Sequence, residues 1–152
     1  MNTALLRPLL VTSALLASPA GWAACSFEIG VGDNLAYDTT EMEAEKSCET
    51  VEVTITHGGN LPKVAMGHNW VLVRPGDFQA VAPLGISAGV EGDYVPADER
   101  VIANTPLVGG GESATIEFSV AELEAGEYTF FCSFPGHYSV MRGTFRLLCG
   151  EG

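Results

Sequence analysis

The sequence predicts an all-β fold, a Greek-key β-sandwich with one short helical insertion. Short apolar segments recur along the chain, glycine-containing turns separate them, and the 152 residues include 18 glycines and 8 prolines. Evenly spaced short strands between turns are typical of sandwiches, and frequent glycine and proline disfavour long helices. Apolar residues make up 47% of the chain and charged residues only 17%, which excludes general disorder.

The first strands are predicted from two different patterns. Val51, Val53 and Ile55 alternate with polar residues, which predicts a half-buried strand, and the turn at 57–60 follows it. Residues 70–73 are a continuous apolar run, which is typical of a central strand.

The second half of the chain continues the pattern. Residues 77–89 are the only stretch in which we expect a helix, although Pro83 and Gly85 weaken it. After the glycine turn at 109–111, a further alternating strand is predicted from four apolar residues, Ala114, Ile116, Phe118 and Val120. A C-terminal pair of strands is predicted at 128–132 and 144–148.

The N-terminus predicts export. Arg7 precedes an apolar run at 9–17 and a small-residue cleavage zone, so residues 1–23 are expected to be a secretory signal peptide. A single domain at 24–152 remains, with a short C-terminal extension at 149–152. The run is too short for a membrane span, and Trp22 stands where a lipoprotein signal has an aliphatic residue, so membrane anchoring is not expected. The predicted location is the bacterial periplasm.

The net charge limits the classes of partner. Nineteen acidic and seven basic residues give −12, and loss of Arg7 with the signal peptide gives −13. A surface of this sign repels phosphate backbones, so no nucleic-acid partner is expected.

The four cysteines allow two interpretations. By count, an exported chain predicts two disulfides, Cys25–Cys48 and Cys132–Cys149. However, Cys132 shares a ten-residue loop with His137 and Met141, and thiolate, imidazole and thioether together suit copper. A second imidazole is available from His68, just before the predicted central strand. These residues alone leave both interpretations open.

Three longer motifs resolve the choice by resemblance. They are Gly-Asn-Leu-Pro-Lys at 59–63, Met-Gly-His-Asn-Trp-Val-Leu at 66–72 and Phe-Phe-Cys-Ser-Phe-Pro-Gly-His at 130–137. Together they resemble the type 1 (blue) copper proteins of the cupredoxin family, and the likeness extends from Cys25 to Leu148. The combination of Gly-His-Asn-Trp with the loop from Cys132 to Met141 is highly specific.

The resemblance implies one type 1 copper ion and a ligand for each position around it. His68, Cys132 and His137 match the three equatorial ligands, and Met141 matches the distant axial thioether. Gly67 matches the residue whose carbonyl approaches the metal weakly from the opposite side.

The resemblance also implies roles for the surroundings. Cys25 and Cys48 match a structural disulfide, and Asn69 matches the residue that ties the two ligand loops together. His57 matches a histidine near the site that does not bind metal, and Trp70 a buried core tryptophan. An apolar docking patch is matched by six residues: Leu61, Pro62, Met66, Ile86, Phe134 and Pro135.

The function implied is that of an exported single-electron carrier that cycles Cu(II) and Cu(I) between redox proteins, not that of an enzyme. Its expected partners are c-type cytochromes or copper-containing reductases. Three alternatives use the same residues differently: a copper-delivery protein, a thiol enzyme using Cys132 and His137, and an adhesion-type sandwich with two disulfides.

Cys149 has no counterpart in the family pattern. If Cys132 binds copper and Cys25 pairs with Cys48, Cys149 is left unpaired. An odd cysteine in an oxidising compartment tends to pair between chains, which predicts a homodimer through Cys149.

Overall fold

The computed structural model describes residues 25–150. The predicted signal peptide at 1–23 and the last two residues of the predicted extension lie outside this range. The described residues form eight strands: β1 Ser26–Val31, β2 Glu41–Glu45, β3 Thr50–His57, β4 Val71–Val73, β5 Ala103–Asn104, β6 Ser113–Ser119, β7 Gly126–Phe131 and β8 Arg142–Leu148.

These strands make two sheets in the described part of the chain. One has the order β1-β3-β6 and the other the order β2-β8-β7-β4-β5. The pairs β1/β3 and β2/β8 are parallel, and the remaining pairs are antiparallel. The predicted all-β sandwich is confirmed.

A single large core lies between the sheets. The predicted alternation in β3 is confirmed, because Val51, Val53 and Ile55 are fully buried while the residues between them are not. From the opposite sheet, Phe130 of β7 and Phe145 of β8 pack into the same core. Trp70, directly before β4, is fully buried there, as expected.

The helical insertion covers the outer face of the five-stranded sheet. Phe78, Val81 and Ala82 pack there against Val71, Val73 and Phe131. Both faces of β4 are therefore covered, which explains its uninterrupted apolar sequence. The helical turns of the insertion are Pro75–Asp77, Phe78–Val81, Ala82–Leu84, Gly85–Ala88 and Val90–Gly92. This confirms the predicted insertion, which begins slightly earlier and ends slightly later than expected.

Three helical turns form outside the expected stretch: Lys63–Met66, Lys46–Cys48 and His137–Ser139. In the first, the N–H groups of Ala65 and Met66 both donate to the Pro62 carbonyl. A segment of a single turn carries too few residues to show helical periodicity, so the sequence gives no signal for it. None of the helices in residues 25–150 is long and apolar enough to cross a membrane.

Among the described residues, strand direction brings four strand ends and four strand starts to one end of the sandwich. β1, β3, β5 and β7 end there, and β2, β4, β6 and β8 begin there. The opposite end carries the start of β1 and the end of β8. The loops at the first end contain the predicted metal ligands.

Candidate metal centre

Three buried side chains form a cluster at this end. One ligand atom from each of His68, Cys132 and His137 lies within 4.8 Å of the others. Cys132 Sγ is 3.8 Å from His68 Nδ1 and 3.6 Å from His137 Nδ1. His68 and Cys132 are fully buried, and His137 keeps 5% of its surface exposed.

The strand pairing explains why residues so far apart in sequence meet. Val71 lies opposite Phe131 in the antiparallel pair β4/β7, so His68 just before β4 reaches Cys132 just after β7. His68 is held at this point by two main-chain hydrogen bonds with Val108, of 3.0 and 2.8 Å.

The loop between β7 and β8 returns its other residues to the same point. The Cys132 N–H donates to the Met141 carbonyl at 3.1 Å, and the Met141 N–H donates to the His137 carbonyl at 2.8 Å. Gly136 has φ +83°, a left-handed conformation that glycine adopts without strain, directly before His137. The sequence Pro-Gly-His thus closes the loop over the cysteine.

A main-chain contact determines the protonation of His68. Its Nε2 lies 2.8 Å from the Gly32 carbonyl, which can only accept a hydrogen bond. Nε2 therefore carries the proton, and Nδ1 presents a lone pair toward Cys132. Burial also lowers the pKa of His68 and keeps the ring neutral.

The thiol and the second imidazole are also held in their neutral forms. Burial raises the pKa of Cys132 to about 11, while N–H groups of Asn69 and Phe134 that donate to the sulfur lower it. Burial, with a contribution from His68, lowers the pKa of His137 to about 4. Two neutral imidazoles and one sulfur, of which only His137 keeps an exposed edge, are a donor set that copper prefers. Copper would displace the thiol proton on binding.

The third histidine lies beside the cluster without joining it. The His57 ring stacks on the His68 ring, with centroids 5.2 Å apart. Its Nδ1 accepts from the Gly59 N–H at 3.0 Å, so Nε2 is protonated and donates to the Met66 carbonyl at 3.0 Å. Both ring nitrogens are therefore occupied by main-chain groups.

Asn69 connects the two ligand loops. Its Oδ1 accepts from the Ser133 N–H at 2.9 Å, and its Nδ2 donates to Ser133 Oγ at 2.8 Å and to the Asp93 carbonyl at 2.9 Å. The residue after His68 is thereby tied to the residue after Cys132, and both are tied to the loop that follows the helical insertion.

Met141 and Gly67 lie beside the cluster. Met141 is buried, and its main chain bonds to those of Cys132 and His137. Gly67 is buried directly before His68, where a Cβ would meet the Lys63 carbonyl and would lie 2.8 Å from Leu107 Cδ2. Only glycine therefore lets the chain pass at this point.

The structure decides between the two cysteine interpretations. Cys25 and Cys48 form a disulfide, which confirms that pairing. Cys132 is buried and Cys149 exposed, and both are free thiols, so the Cys132–Cys149 pairing derived from the cysteine count is wrong. β8 separates these two residues by seven strand positions, or about 23 Å, far beyond the reach of a disulfide.

Several of the predicted docking residues lie on the chain segments that carry the cluster, or beside them. Phe134 packs on the His137 ring with centroids 4.4 Å apart, and Gly85 packs closely on Ser133, which places Ile86 beside the same loop. Ile86 is 65% exposed, and Leu61 is 40% exposed. Met66 and Pro135 are half-buried.

Several residues of this region were not predicted from the sequence. Val64, Leu84 and Val140 are exposed apolar residues within two or three positions of predicted patch or ligand residues. Their closeness in sequence to those residues is the feature from which they could have been predicted. Tyr37 also touches Asn69, and no motif in the sequence marks it. Ser133 and Asp93 touch Asn69 as well, and neither was assigned this contact, although Ser133 lies within the motif at 130–137.

Comparisons with known proteins agree with this geometry. The family described as copper binding proteins, plastocyanin/azurin family, matches residues 23–147. The chain is similar to azurin of Bordetella pertussis, with 47% identity over 89% of this chain and 91% of that protein. It is also similar to azurin of Pseudomonas aeruginosa, with 44% identity over 94% of this chain and 99% of that protein.

A solved structure shows the same fold. It is that of an azurin (Az-iso2) from the obligate methylotroph Methylomonas sp. strain J. The TM-score is 0.77 with 44% identity, and the match covers 82% of this chain and 98% of the other.

Proposed function

The chain belongs to the plastocyanin/azurin family of copper-binding proteins, and we propose that it is an exported carrier of single electrons. Its cofactor is copper. The observation that carries the proposal is the closed cluster of His68, Cys132 and His137, whose sulfur and two nitrogens lie within 4.8 Å of one another. Copper held by such donors supplies one redox event, the gain and loss of a single electron.

We assign His68, Cys132 and His137 as the three equatorial ligands. Met141 is proposed as the axial thioether, and the Gly67 carbonyl as a weak ligand on the opposite side. The support is their position in adjoining chain segments and the main-chain bonds from Met141 to Cys132 and His137.

The surrounding residues keep this arrangement rigid. His68 is oriented by Gly32, and Asn69 bonds to Ser133 on the neighbouring loop. A ligand set that is oriented before the electron arrives needs little rearrangement when the charge changes, and this lowers the barrier to transfer. No hydroxyl or carboxylate that could act on a substrate belongs to the cluster, which supports a carrier over an enzyme.

The thiol-enzyme alternative fails on the state of Cys132. A catalytic thiol needs a depressed pKa and access to substrate. Here the side chain is fully buried and its pKa is raised to about 11.

We propose that electrons pass through the exposed edge of His137. The apolar patch around it, which includes Leu61, Met66, Ile86, Phe134 and Pro135, would meet redox partners in brief contacts. The mature charge of −13 favours basic partners, for which c-type cytochromes and copper-containing reductases are our candidates.

Export remains part of the proposal. A signal peptide at 1–23 would deliver a single domain at 24–152 to the periplasm, where the Cys25–Cys48 disulfide is stable.

We also propose that exposed Cys149, at the end of β8, links two copies of the chain. Non-reducing electrophoresis of wild type beside Cys149→Ser tests this link. A dimer band lost in the variant supports it, and a monomer band for both proteins contradicts it.

The function is tested by electron exchange. Copper-loaded protein is mixed with a reduced c-type cytochrome in a stopped-flow instrument, and the oxidation of the haem is followed. We expect each copper ion to accept one electron, so that one equivalent of haem is oxidised for each equivalent of copper protein and no more. Zinc-loaded protein, which has no second oxidation state, is the control and must leave the haem reduced. Absence of electron exchange from the copper protein with cytochromes and with small-molecule reductants would contradict the carrier function.

A further inference from the structure

Tyr37 lies in the β1–β2 connection, and its side chain enters the core beneath the metal cluster. The residue is buried, and its ring packs edge-on against Phe130 with centroids 5.5 Å apart. Its hydroxyl donates to the main-chain carbonyl of Asn69 at 2.6 Å. A buried tyrosine hydroxyl needs a partner, and this one uses a residue adjacent to a metal-ligand candidate.

Asn69 in turn contacts the sulfur. Its N–H donates to Cys132 Sγ, together with the N–H of Phe134. Its side chain bonds to Ser133 and Asp93. Every polar group of Asn69 is thus hydrogen-bonded, and Tyr37 makes the bond to its carbonyl. Tyr37 links the β1–β2 connection to a residue that otherwise contacts only the metal end of the molecule.

We propose that Tyr37 is a positioning residue, which holds the Asn69 N–H on the Cys132 sulfur and thereby raises the reduction potential of the copper site. This rests on the proposed function. A hydrogen bond to the sulfur withdraws electron density from it, so the thiolate donates less strongly to Cu(II) and the reduced state is favoured. In a buried site of low dielectric, such a bond has a larger electrostatic effect than it would in water.

The electrostatics agree with the geometry. The pKa of Tyr37 is raised well above its ordinary value, first by burial and then by the charge of the Cys132 thiolate. The phenol therefore remains a neutral hydrogen-bond donor across the accessible pH range.

A second tyrosine provides a matched control. Tyr128 is also buried, its hydroxyl donates to the Glu124 carbonyl at 2.7 Å, and its ring packs edge-on against Phe145. It differs from Tyr37 in the place of its partner, because Glu124 lies in the β6–β7 connection, at the end of the sandwich opposite the metal cluster. Removing either hydroxyl costs the fold one hydrogen bond of similar length to a main-chain carbonyl.

The experiment compares Tyr37→Phe and Tyr128→Phe with wild type in the full-length, copper-loaded protein. We expect Tyr37→Phe to lower the reduction potential and to shift the thiolate-to-copper absorption to longer wavelength, because the sulfur becomes more electron-rich. Tyr128→Phe should change neither. If Tyr37 only stabilised the fold, the melting temperatures of both variants would change, while the reduction potential and the absorption wavelength would not. Equal potentials in wild type and Tyr37→Phe, or equal shifts in the two variants, would overturn the proposal.

Amide exchange separates this proposal from the proposed function. Hydrogen exchange at the Asn69 N–H, followed by NMR in the metal-free protein, should accelerate in Tyr37→Phe and remain unchanged in Tyr128→Phe. Copper-loaded wild type without a blue absorption would contradict the proposed function. An exchange rate at the Asn69 N–H that is the same in wild type and Tyr37→Phe would overturn the positioning role, whether or not the wild type is blue.

Discussion

Individual histidines differ here in what their two ring nitrogens do. His68 gives one nitrogen to the Gly32 carbonyl and keeps the other for the cluster, while His57 gives both to main-chain groups. This explains why two rings that stack 5.2 Å apart have different roles. The residue types alone do not distinguish the two histidines. The family resemblance predicted that His68 binds metal and His57 does not, and the hydrogen bonds give the physical reason for this difference.

The two free thiols should react at very different rates in metal-free protein. Cys149 is exposed, whereas Cys132 is buried and its pKa is raised to about 11, so less than a thousandth of it is thiolate at pH 8. We expect an aromatic disulfide reagent at pH 8 to titrate one thiol rapidly and the second only slowly. Cys149→Ser should lose the rapid phase, and equal rates for the two thiols would contradict the assigned burial.

Met141 is the residue whose role is easiest to separate from those of its neighbours. Met141→Leu conserves side-chain volume and should cost less than about 1.5 kcal/mol of stability. We expect it to keep the blue absorption and to raise the reduction potential, because a weak donor to Cu(II) is lost. Voltammetry measures this, and a potential equal to that of wild type would mean that the thioether does not contact the metal. His137→Gly, in contrast, should open the site to added imidazole.

Much of the metal site was accessible from sequence because its residues lie in short motifs. Cys132, His137 and Met141 share one loop, and His68 and Asn69 share another. The contact between the two loops is a property of the β4/β7 pairing and could not be derived from residue patterns alone. Tyr37 was missed for the same reason, since it is 32 residues away from Asn69.

At the level of elements, strands with clear alternation or apolar runs were predicted and those without were not. β3, β4, β6, β7 and β8 were expected and are confirmed. β2 has the sequence Glu-Met-Glu-Ala-Glu, whose glutamates and alanine have low strand propensity, and it forms because it pairs with β8 at the sheet edge. β5 has only two residues, and Gly30 interrupts the pattern of β1.

The disulfide joins the start of β1 to the chain just before β3. Cys25 and Cys48 are 23 positions apart, and closing a loop of this length restricts the unfolded chain by about 3 kcal/mol. Replacing both with serine should lower the free energy of unfolding by about that amount, measured by denaturant titration of metal-free protein. Cys149→Ser is the matched control and should change it by less than about 0.5 kcal/mol. An unchanged stability in the double variant would show that the bridge does not restrict the unfolded chain.

At the scale of the whole molecule, the fold separates two functions. The end with the metal cluster carries exposed apolar residues, among them Leu61 and Ile86, while the chain as a whole is strongly acidic. Residues 24–152 contain 19 acidic and 6 basic side chains, a net charge of −13. Such a field would guide a basic partner from a distance, and the proposed apolar patch would then make the contact.

This division predicts how electron transfer responds to mutation. Ile86→Ser removes a 65% exposed apolar side chain from the patch, and we expect the second-order rate constant with a c-type cytochrome to fall about fivefold, a loss of ~1 kcal/mol. The control is Leu148→Ser, which removes an exposed side chain at the far end of β8 and should leave the rate unchanged. Equal rates for wild type and Ile86→Ser would place the docking surface elsewhere.

The central claim is that the Cys132 sulfur binds copper as a thiolate, and the absorption spectrum of Cu(II)-loaded protein tests it most directly. Wild type and Cys149→Ser should show an intense blue thiolate-to-copper band, and Cys132→Ser should lack it while circular dichroism shows the same strand content. A blue band that survives in Cys132→Ser, or that is absent from copper-loaded wild type, would contradict the account.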